Sequence, residues 1–298
     1  MKVTRLSSSA PGGAEPRPRR VAVGTFDGVH LGHREVIRGA DTVLTFDPHP
    51  SAVVAPGGAP RLLTTFERKA ELIAGLGVQE LVVVPFDREF AARSAESFVD
   101  DVLVGALQAT HVSVGENFRF GHKASGGPDL LRADARFETN VVTLLEVDGE
   151  VVSSSHIRGL VMGGAVEYAD RLLASPFTVT GDVAHGDKRG RTLGYPTANL
   201  VPREGYVVPG HGVYACRAHT ADGAAHVAAT NVGVRPMFVT GRGELIEAFL
   251  VDFDGDIYGQ PLRVEFLKRL RGEKRFASVD ALVEQMARDV DAARAIAS

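Results

Sequence analysis

The sequence predicts two folds joined end to end, an α/β half followed by an all-β half, and three observations predict it. Apolar strand-like runs alternate with helix-period segments in the first half. From Phe177 onward, strand-like runs follow one another with only turn residues between them. One amphipathic segment then closes the chain. With 298 residues, 44% of them hydrophobic, the chain is long enough to bury a sizeable core.

The N-terminal stretch "MKVTRLSSSAPGGAEPRPRR" reads as a loose lead-in and lacks the apolar centre of a secretory signal. Strands are expected at 20–24, 42–46, 80–86, 110–115 and 140–147, with helices at "FERKAELIAGLG" and "AESFVDDVLVGALQA" between them. Continuous Val/Leu runs suit a parallel sheet covered by helices on both faces, and such sheets bind ligands beyond the carboxyl ends of their strands. Residues 156–174 read as helical despite a glycine pair. The later runs "FTVTGDVAHG", "GVYACRAHT", "AAHVAATNVG", "LIEAFLVDF" and "LRVEFLKRL" imply an antiparallel barrel or sandwich. The closing helix places Val279, Leu282, Val283, Met286, Val290 and Ala293 on one stripe, suited to covering it. The expected division is a domain over 1–160, a helical linker over 161–176 and a second domain over 177–298.

Lys and Arg total 33 against 37 Asp and Glu, a formal net charge of −4. That balance argues against nucleic-acid binding by bulk electrostatics while allowing a local basic pocket. Cys216 is the only cysteine, which excludes an intrachain disulfide or a cysteine metal cluster and suggests a cytoplasmic protein. No run approaches the ~18 apolar residues of a membrane helix. Oligomeric state leaves no trace in the sequence.

The chemistry concentrates first in "GTFDGVHLGH", residues 24–33. Gly24, Gly28 and Gly32 let backbone approach a ligand, and a helix starting near Leu31 would aim free N–H groups at an anion. His30 and His33 would sit at that anion. A metal site is the alternative, with Asp27 or His49 as third ligand; a plain glycine-rich turn is the other.

Those residues resemble the GxFDGxHxGH signature of the nucleotidylyltransferase superfamily. With "TFDPHP" (45–50), "VGENFRFGHKASG" (114–126) and "VSSSHIR" (152–158), they resemble the FAD synthetase module of the prokaryotic bifunctional riboflavin kinase/FMN adenylyltransferase family. "GDVAHGDKRGRTLGYPTANL" (181–200), "GVYA" (212–215), "NVGVRP" (231–236) and "LIEAFLVDFDGDIYG" (245–259) resemble its flavokinase module. The resemblance runs from about residue 20 to the C-terminus. It implies a Rossmann-like nucleotidylyltransferase sheet followed by a flavokinase β-barrel with a terminal helix. It also implies ATP, riboflavin and FMN as substrates, with Mg²⁺.

By that resemblance, His30 and His33 contact the ATP phosphates while Gly24, Phe26, Asp27 and Gly32 shape the turn. Ser153, Ser154, Ser155 and Arg158 match a mobile segment that closes over the triphosphate. Asn117 and Arg119 lie near the flavin, as does His49, whereas Phe118 and Phe120 suit either core or stacking. In the kinase half, Gly186, Asp187, Gly190 and Arg191 belong to a glycine-spaced basic loop suited to phosphates. Thr197 and Asn199 alternate on an extended segment and are assigned to Mg²⁺. Glu247, a carboxylate inside an apolar strand, is placed to take the proton of the riboflavin 5′-hydroxyl. Asp252, Asp254 and Asp256 lack the glutamate of a calcium loop and read as turn residues.

Three departures from the family pattern stand out. Only eleven residues, Arg34 to Leu44, separate His33 from Thr45, so the first crossover helix is short. Ser155 replaces a threonine, and Met237 follows "RP" where a threonine is usual. The alternatives to a two-activity enzyme are a single-activity kinase or adenylyltransferase, and a catalytically silent flavin binder.

Overall fold

The computed structural model describes residues 1–7, 15–55, 58–185, 193–234 and 244–297. The chain divides into two compact units, Met1–Ser154 and Ser155–Ser298.

The first unit is built on a six-stranded parallel sheet: β1 (Lys2–Arg5), β2 (Arg19–Val23), β3 (Thr42–Asp47), β4 (Glu80–Pro85), β5 (Ala109–Gly115) and β6 (Glu138–Val142). The spatial order is β1-β4-β3-β2-β5-β6. From β2 the chain steps outward through β3 to β4, then returns to lay β5 on the other side of β2. The direction of winding therefore reverses between β2 and β5, and the crevice beyond their carboxyl ends is where such sheets bind ligands. Val21, Ala22 and Val23 are all buried, because both faces of the sheet are covered. Val21 and Val23 join Leu44, Phe46, Val82 and Val84 under the helical segment Ala95–Ala106, while Ala22 joins Val43, Leu81 and Val83 on the opposite face. That second face is covered by α1 (Leu31–Ile37) and α3 (Phe66–Ala74), which contribute Val36, Ile37 and Ile73.

Two expectations for this half need correction. The N-terminus is not wholly a lead-in, since Lys2–Arg5 forms an edge strand parallel to β4. Only Thr4 of β1 is buried, so the strand shows no apolar alternation. Residues 140–147 are not one strand: β6 already starts at Glu138 and ends at Val142, and Glu146–Val147 turns into a small hairpin with Glu150–Val151.

At the amino end of the sheet, Arg19 is buried against Glu80. Its Nε and Nη2 donate to Oε2 at 3.1 and 3.0 Å, and Thr4 Oγ1 donates to Oε1 at 2.7 Å. Burial alone would raise the Glu80 pKa, but the hydrogen bonds from Thr4 and Arg19 outweigh it and hold the carboxyl below its usual range.

The second unit is a closed antiparallel barrel. Its strands are β9 (Phe177–Ala184), β10 (Ala198–Pro202), β11 (Gly212–His219), β12 (Ala225–Val234), β13 (Glu244–Leu250) and β14 (Pro261–Arg271), in the order β10-β13-β12-β11-β14-β9, with β9 pairing back to β10. Closure settles the choice between barrel and sandwich and removes the sheet edges. Residues 156–174 are helical, in two pieces, α7 (Ser154–Met162) and α8 (Val166–Leu173). Gly164 breaks them at φ +82, where a Cβ would also meet the Tyr214 hydroxyl at 2.8 Å. Asp170 of α8 accepts the Phe177 N–H at 2.7 Å and so ties α8 to the start of β9. Burial, reinforced by Glu167 and Glu265 against that hydrogen bond, pushes the Asp170 carboxyl up to about 7.

The C-terminal helix, Val279–Ala297, packs against β11, β12 and β14. Its expected stripe needs one correction: Val279 is 60% exposed, because cover begins only at Ala281. The buried anchor is instead Asp289, bonded to Arg271 Nη2 at 2.7 Å and Nε at 3.0 Å. Asp252 pairs with Arg294 and Asp256 accepts the Tyr258 N–H, as suits turn residues. No described helix is long and apolar enough to cross a membrane.

Candidate active site

The turn leaving β2 lies at the point where the sheet reverses. Phe26 and Val29 adopt left-handed φ values of 51 and 45 on either side of Gly28, at φ 86. Such angles are costly for bulky or branched side chains, so the turn needs outside support. Asp27 provides it: its buried Oδ1 accepts from Leu63 N at 2.9 Å and Thr64 N at 3.3 Å, while Gly28 N donates to Thr64 Oγ1 at 3.1 Å. Ser154 Oγ donates to the Asp27 carbonyl at 2.9 Å. Gly24 is needed for space, since a Cβ there would stand 3.0 Å from the Phe26 ring.

His30 is the N-cap of α1, and its Nδ1 accepts the His33 N–H at 3.3 Å. The helix has only seven residues, yet the imidazoles are held by more than the helix. The two rings stack with centroids 3.5 Å apart and planes 17° off parallel, and the Phe26 ring meets His33 edge-on at 5.3 Å. Gly32 lies against the His30 ring, which a Cβ would approach to 3.4 Å. Burial lowers the His30 pKa to about 4; burial, His30 and Lys69 together lower that of His33 well below its usual value. Both rings are therefore uncharged at neutral pH and act as hydrogen-bonding groups. His33 Nδ1 is buried and has no hydrogen-bond partner among the described residues, which is uncommon for a buried polar atom.

The other expected residues of this unit follow the carboxyl ends of neighbouring strands. His49 follows β3 and caps α2 (Pro50–Val54), its Nδ1 accepting from Ser51 N at 3.2 Å. Asn117 and Arg119 follow β5 and are exposed; Arg119 donates to the carbonyls of Glu116 and Phe118. Phe120 is buried in the core and stacks on the half-buried Phe118, with centroids 5.5 Å apart. Ser153 precedes α7 and Ser154 begins it. Ser155 is exposed and Arg158 half-buried on that helix, both in the second unit. Among the described residues no group of three His, Cys, Asp or Glu could hold a metal, so His30 and His33 gain no third ligand from Asp27 or His49.

The sequence reading missed Lys69. It lies on the apolar stripe of α3 with Phe66, Ala70 and Ile73, and its Nζ donates to the Thr25 carbonyl at 3.0 Å. A lysine in phase with core residues is the signal that would have exposed it.

In the barrel, Ile246, Ala248 and Leu250 alternate into the core, which leaves Glu247 on the other face of β13, half-buried. Its cross-strand partners are Asn199 on β10 and Asn231 on β12. Directly paired residues share a face, so the three polar side chains form one row across three strands. Asn199 is buried, while Thr197 lies half-buried just before β10. Tyr195 meets Phe249 edge-on at 5.2 Å beside this row. Asn231 was not singled out in the sequence, because only the register brings it to Glu247. Gly186, Asp187, Gly190, Arg191 and Met237 lie outside the described residues.

Comparison with known proteins decides the family. A model of the FAD synthetase family matches residues 13–156, and one of the riboflavin kinase family matches residues 173–297. The bifunctional riboflavin kinase/FMN adenylyltransferase of Listeria monocytogenes is 39% identical over 288 residues, covering 92% of this chain and 91% of that protein. The chain belongs to the bifunctional riboflavin kinase/FMN adenylyltransferase family. Enzymes of the same name from Bacillus subtilis and Escherichia coli are 38% and 37% identical; they cover 90% and 92% of this chain, and 89% and 91% of their own lengths are covered. A crystal structure from Streptococcus pneumoniae, described as a macrolide-efflux protein, superposes with a TM-score of 0.87 at 30% identity and covers 99% of both chains. For this flavin-enzyme family member, the turn after β2 lies in the FAD synthetase half and the Asn199–Glu247–Asn231 row in the riboflavin kinase half.

Proposed function

We propose that this chain phosphorylates riboflavin with ATP to give FMN and ADP, then transfers AMP from a second ATP to FMN to give FAD and pyrophosphate. One observation carries it: both halves match, in order, the two activities named for relatives that align along almost their whole length. Efflux is not carried over from the S. pneumoniae structure, because that likeness is one of fold and both family models describe flavin enzymes. We assign 1–160 to adenylyl transfer, 161–176 to a linker and 177–298 to the kinase, a division supported by the matched spans. The single buried cysteine favours the cytoplasm.

In adenylyl transfer, a phosphate oxygen of FMN attacks the α-phosphorus of ATP and pyrophosphate leaves. The protein's task is to position the reactants and stabilise charge. We place the triphosphate at His30 and His33, where the stacked, uncharged imidazoles offer hydrogen bonds from fixed positions. Asp27 and Ser154 hold the turn; Gly24, Phe26 and Gly32 shape it. Ser153, Ser155 and Arg158 are assigned to the triphosphate, and His49, Asn117 and Arg119 to the flavin. In the kinase half, Glu247 accepts the 5′-hydroxyl proton as the oxygen attacks the γ-phosphorus. Thr197 and Asn199 offer hard oxygen donors beside it and fit Mg²⁺ only when ATP oxygens complete the set. Bound there, Mg²⁺ would neutralise phosphate charge.

Incubation of the purified protein with riboflavin, ATP and Mg²⁺, followed by chromatographic separation of the flavins, tests the reading. FMN and FAD should appear in that order. FMN without FAD would remove the adenylyltransferase, and unchanged riboflavin would remove the kinase.

A further inference from the structure

Lys69 stands where a core residue belongs. It follows Phe66 by three residues and precedes Ile73 by four, which puts it on the buried face of α3, and it is only 8% exposed. An apolar side chain would fill that place at no electrostatic cost, so the ammonium calls for a reason. It donates to the carbonyl of Thr25, the residue that leads into the left-handed Phe26–Val29 turn. Thr45 Oγ1 reaches the same carbonyl at 3.1 Å. Burial lowers the Lys69 pKa, and the charged groups that face it and oppose that loss are Asp27 from the turn and Asp47 from the end of β3, the latter paired with the exposed Arg5 at 3.2 Å. From α1 it faces His33, and its charge helps keep that ring unprotonated.

We propose that Lys69 is a positioning residue for adenylyl transfer: its buried ammonium pins the Thr25 carbonyl at the entry to the glycine turn and sets a fixed positive charge beside the His30–His33 pair. The pinned carbonyl fixes the path of the strained turn, and so the place of both imidazoles. The fixed charge repels a proton from His33 before the triphosphate arrives and favours the anion once it does. The inference rests on the assignment of His30 and His33 to the triphosphate.

The test compares Lys69→Met, which keeps length without charge, and Lys69→Arg, which keeps charge, with His33→Ala in the full chain. FAD formation from FMN and ATP is followed from about pH 9 down to the lowest pH at which thermal melting shows the folded chain, about pH 4, with riboflavin phosphorylation as a control. Lys69→Met should lower kcat/KM for FAD formation roughly tenfold or more. It should also move the acid limb of the profile toward higher pH, since His33 then takes a proton more readily. Lys69→Arg should restore the parental limb, and riboflavin phosphorylation should hold in both. A parental rate and profile in Lys69→Met overturns the proposal. So does a slower variant whose acid limb has not moved, which would mark a packing role. Full FAD formation by His33→Ala would instead remove the site assignment beneath it.

Discussion

His33 and Glu247 mark the two reactions at the scale of single residues. The Nδ1 of His33, buried and without a hydrogen-bond partner among the described residues, and the cross-strand partners of Glu247 belong to different units. His33→Ala should therefore lower FAD formation about 100-fold or more while FMN still accumulates from riboflavin. Glu247→Ala should stop riboflavin phosphorylation yet convert supplied FMN to FAD at the parental rate; flavin chromatography reads both. The histidines were legible because ten consecutive residues carry glycines, acid and imidazoles together. Lys69 was not, because its meaning depends on a turn more than thirty residues away along the chain. Asn231 was hidden for the same reason, since its partner across the barrel is defined by register.

Among the elements, α8 carries a group that titrates near neutrality. Asp170 has a pKa of about 7 in the folded protein, against 3.8 for an ordinary aspartate. The folded state then binds more protons than the unfolded one over that window, so stability falls as pH rises from about 4 to 7. Asp170→Asn, which keeps an acceptor for the Phe177 N–H, should be more stable than the parent by at least about 1 kcal/mol at pH 8. That gap should close toward pH 4 in thermal or denaturant melts. The strands of both halves were legible from apolar runs, and the barrel strands from regular turn spacing. What escaped was β1, whose burial of Thr4 alone writes no pattern, and the place of the break, at Gly164, whose left-handed backbone and crowding by the Tyr214 hydroxyl are set by the folded barrel. Val279 was misplaced because helical periodicity reports a face but not where its cover begins.

For the molecule as a whole, the first unit is held at the amino end of its sheet by a buried ion pair and at the carboxyl end by the turn that bears the histidines. Glu80→Gln would leave Arg19 buried without its counter-charge, a loss of about 3 kcal/mol. The carboxyl lies below its ordinary 4.5 in the folded state, so its contribution is complete above that pH and lost as pH falls through the folded value. The gap between parent and variant in denaturant melts should accordingly shrink below about pH 4.5. Two separate sites also predict complementation: an equimolar mixture of His33→Ala and Glu247→Ala chains should convert riboflavin to FAD, which neither achieves alone. Failure of the mixture, with each single variant behaving as above, would show that FMN does not pass between molecules.

The row of Asn199, Glu247 and Asn231 turns the barrel into a ruler. Neighbouring strands repeat at about 4.8 Å, and main-chain hydrogen bonds rather than rotamers set the spacing of the three side chains. The interval is therefore insensitive to changes in the surrounding surface but intolerant of any change in counting. One residue inserted at the start of β13 would turn Glu247 into the core and bring an apolar neighbour out in its place, silencing the kinase with every one of its side chains still present.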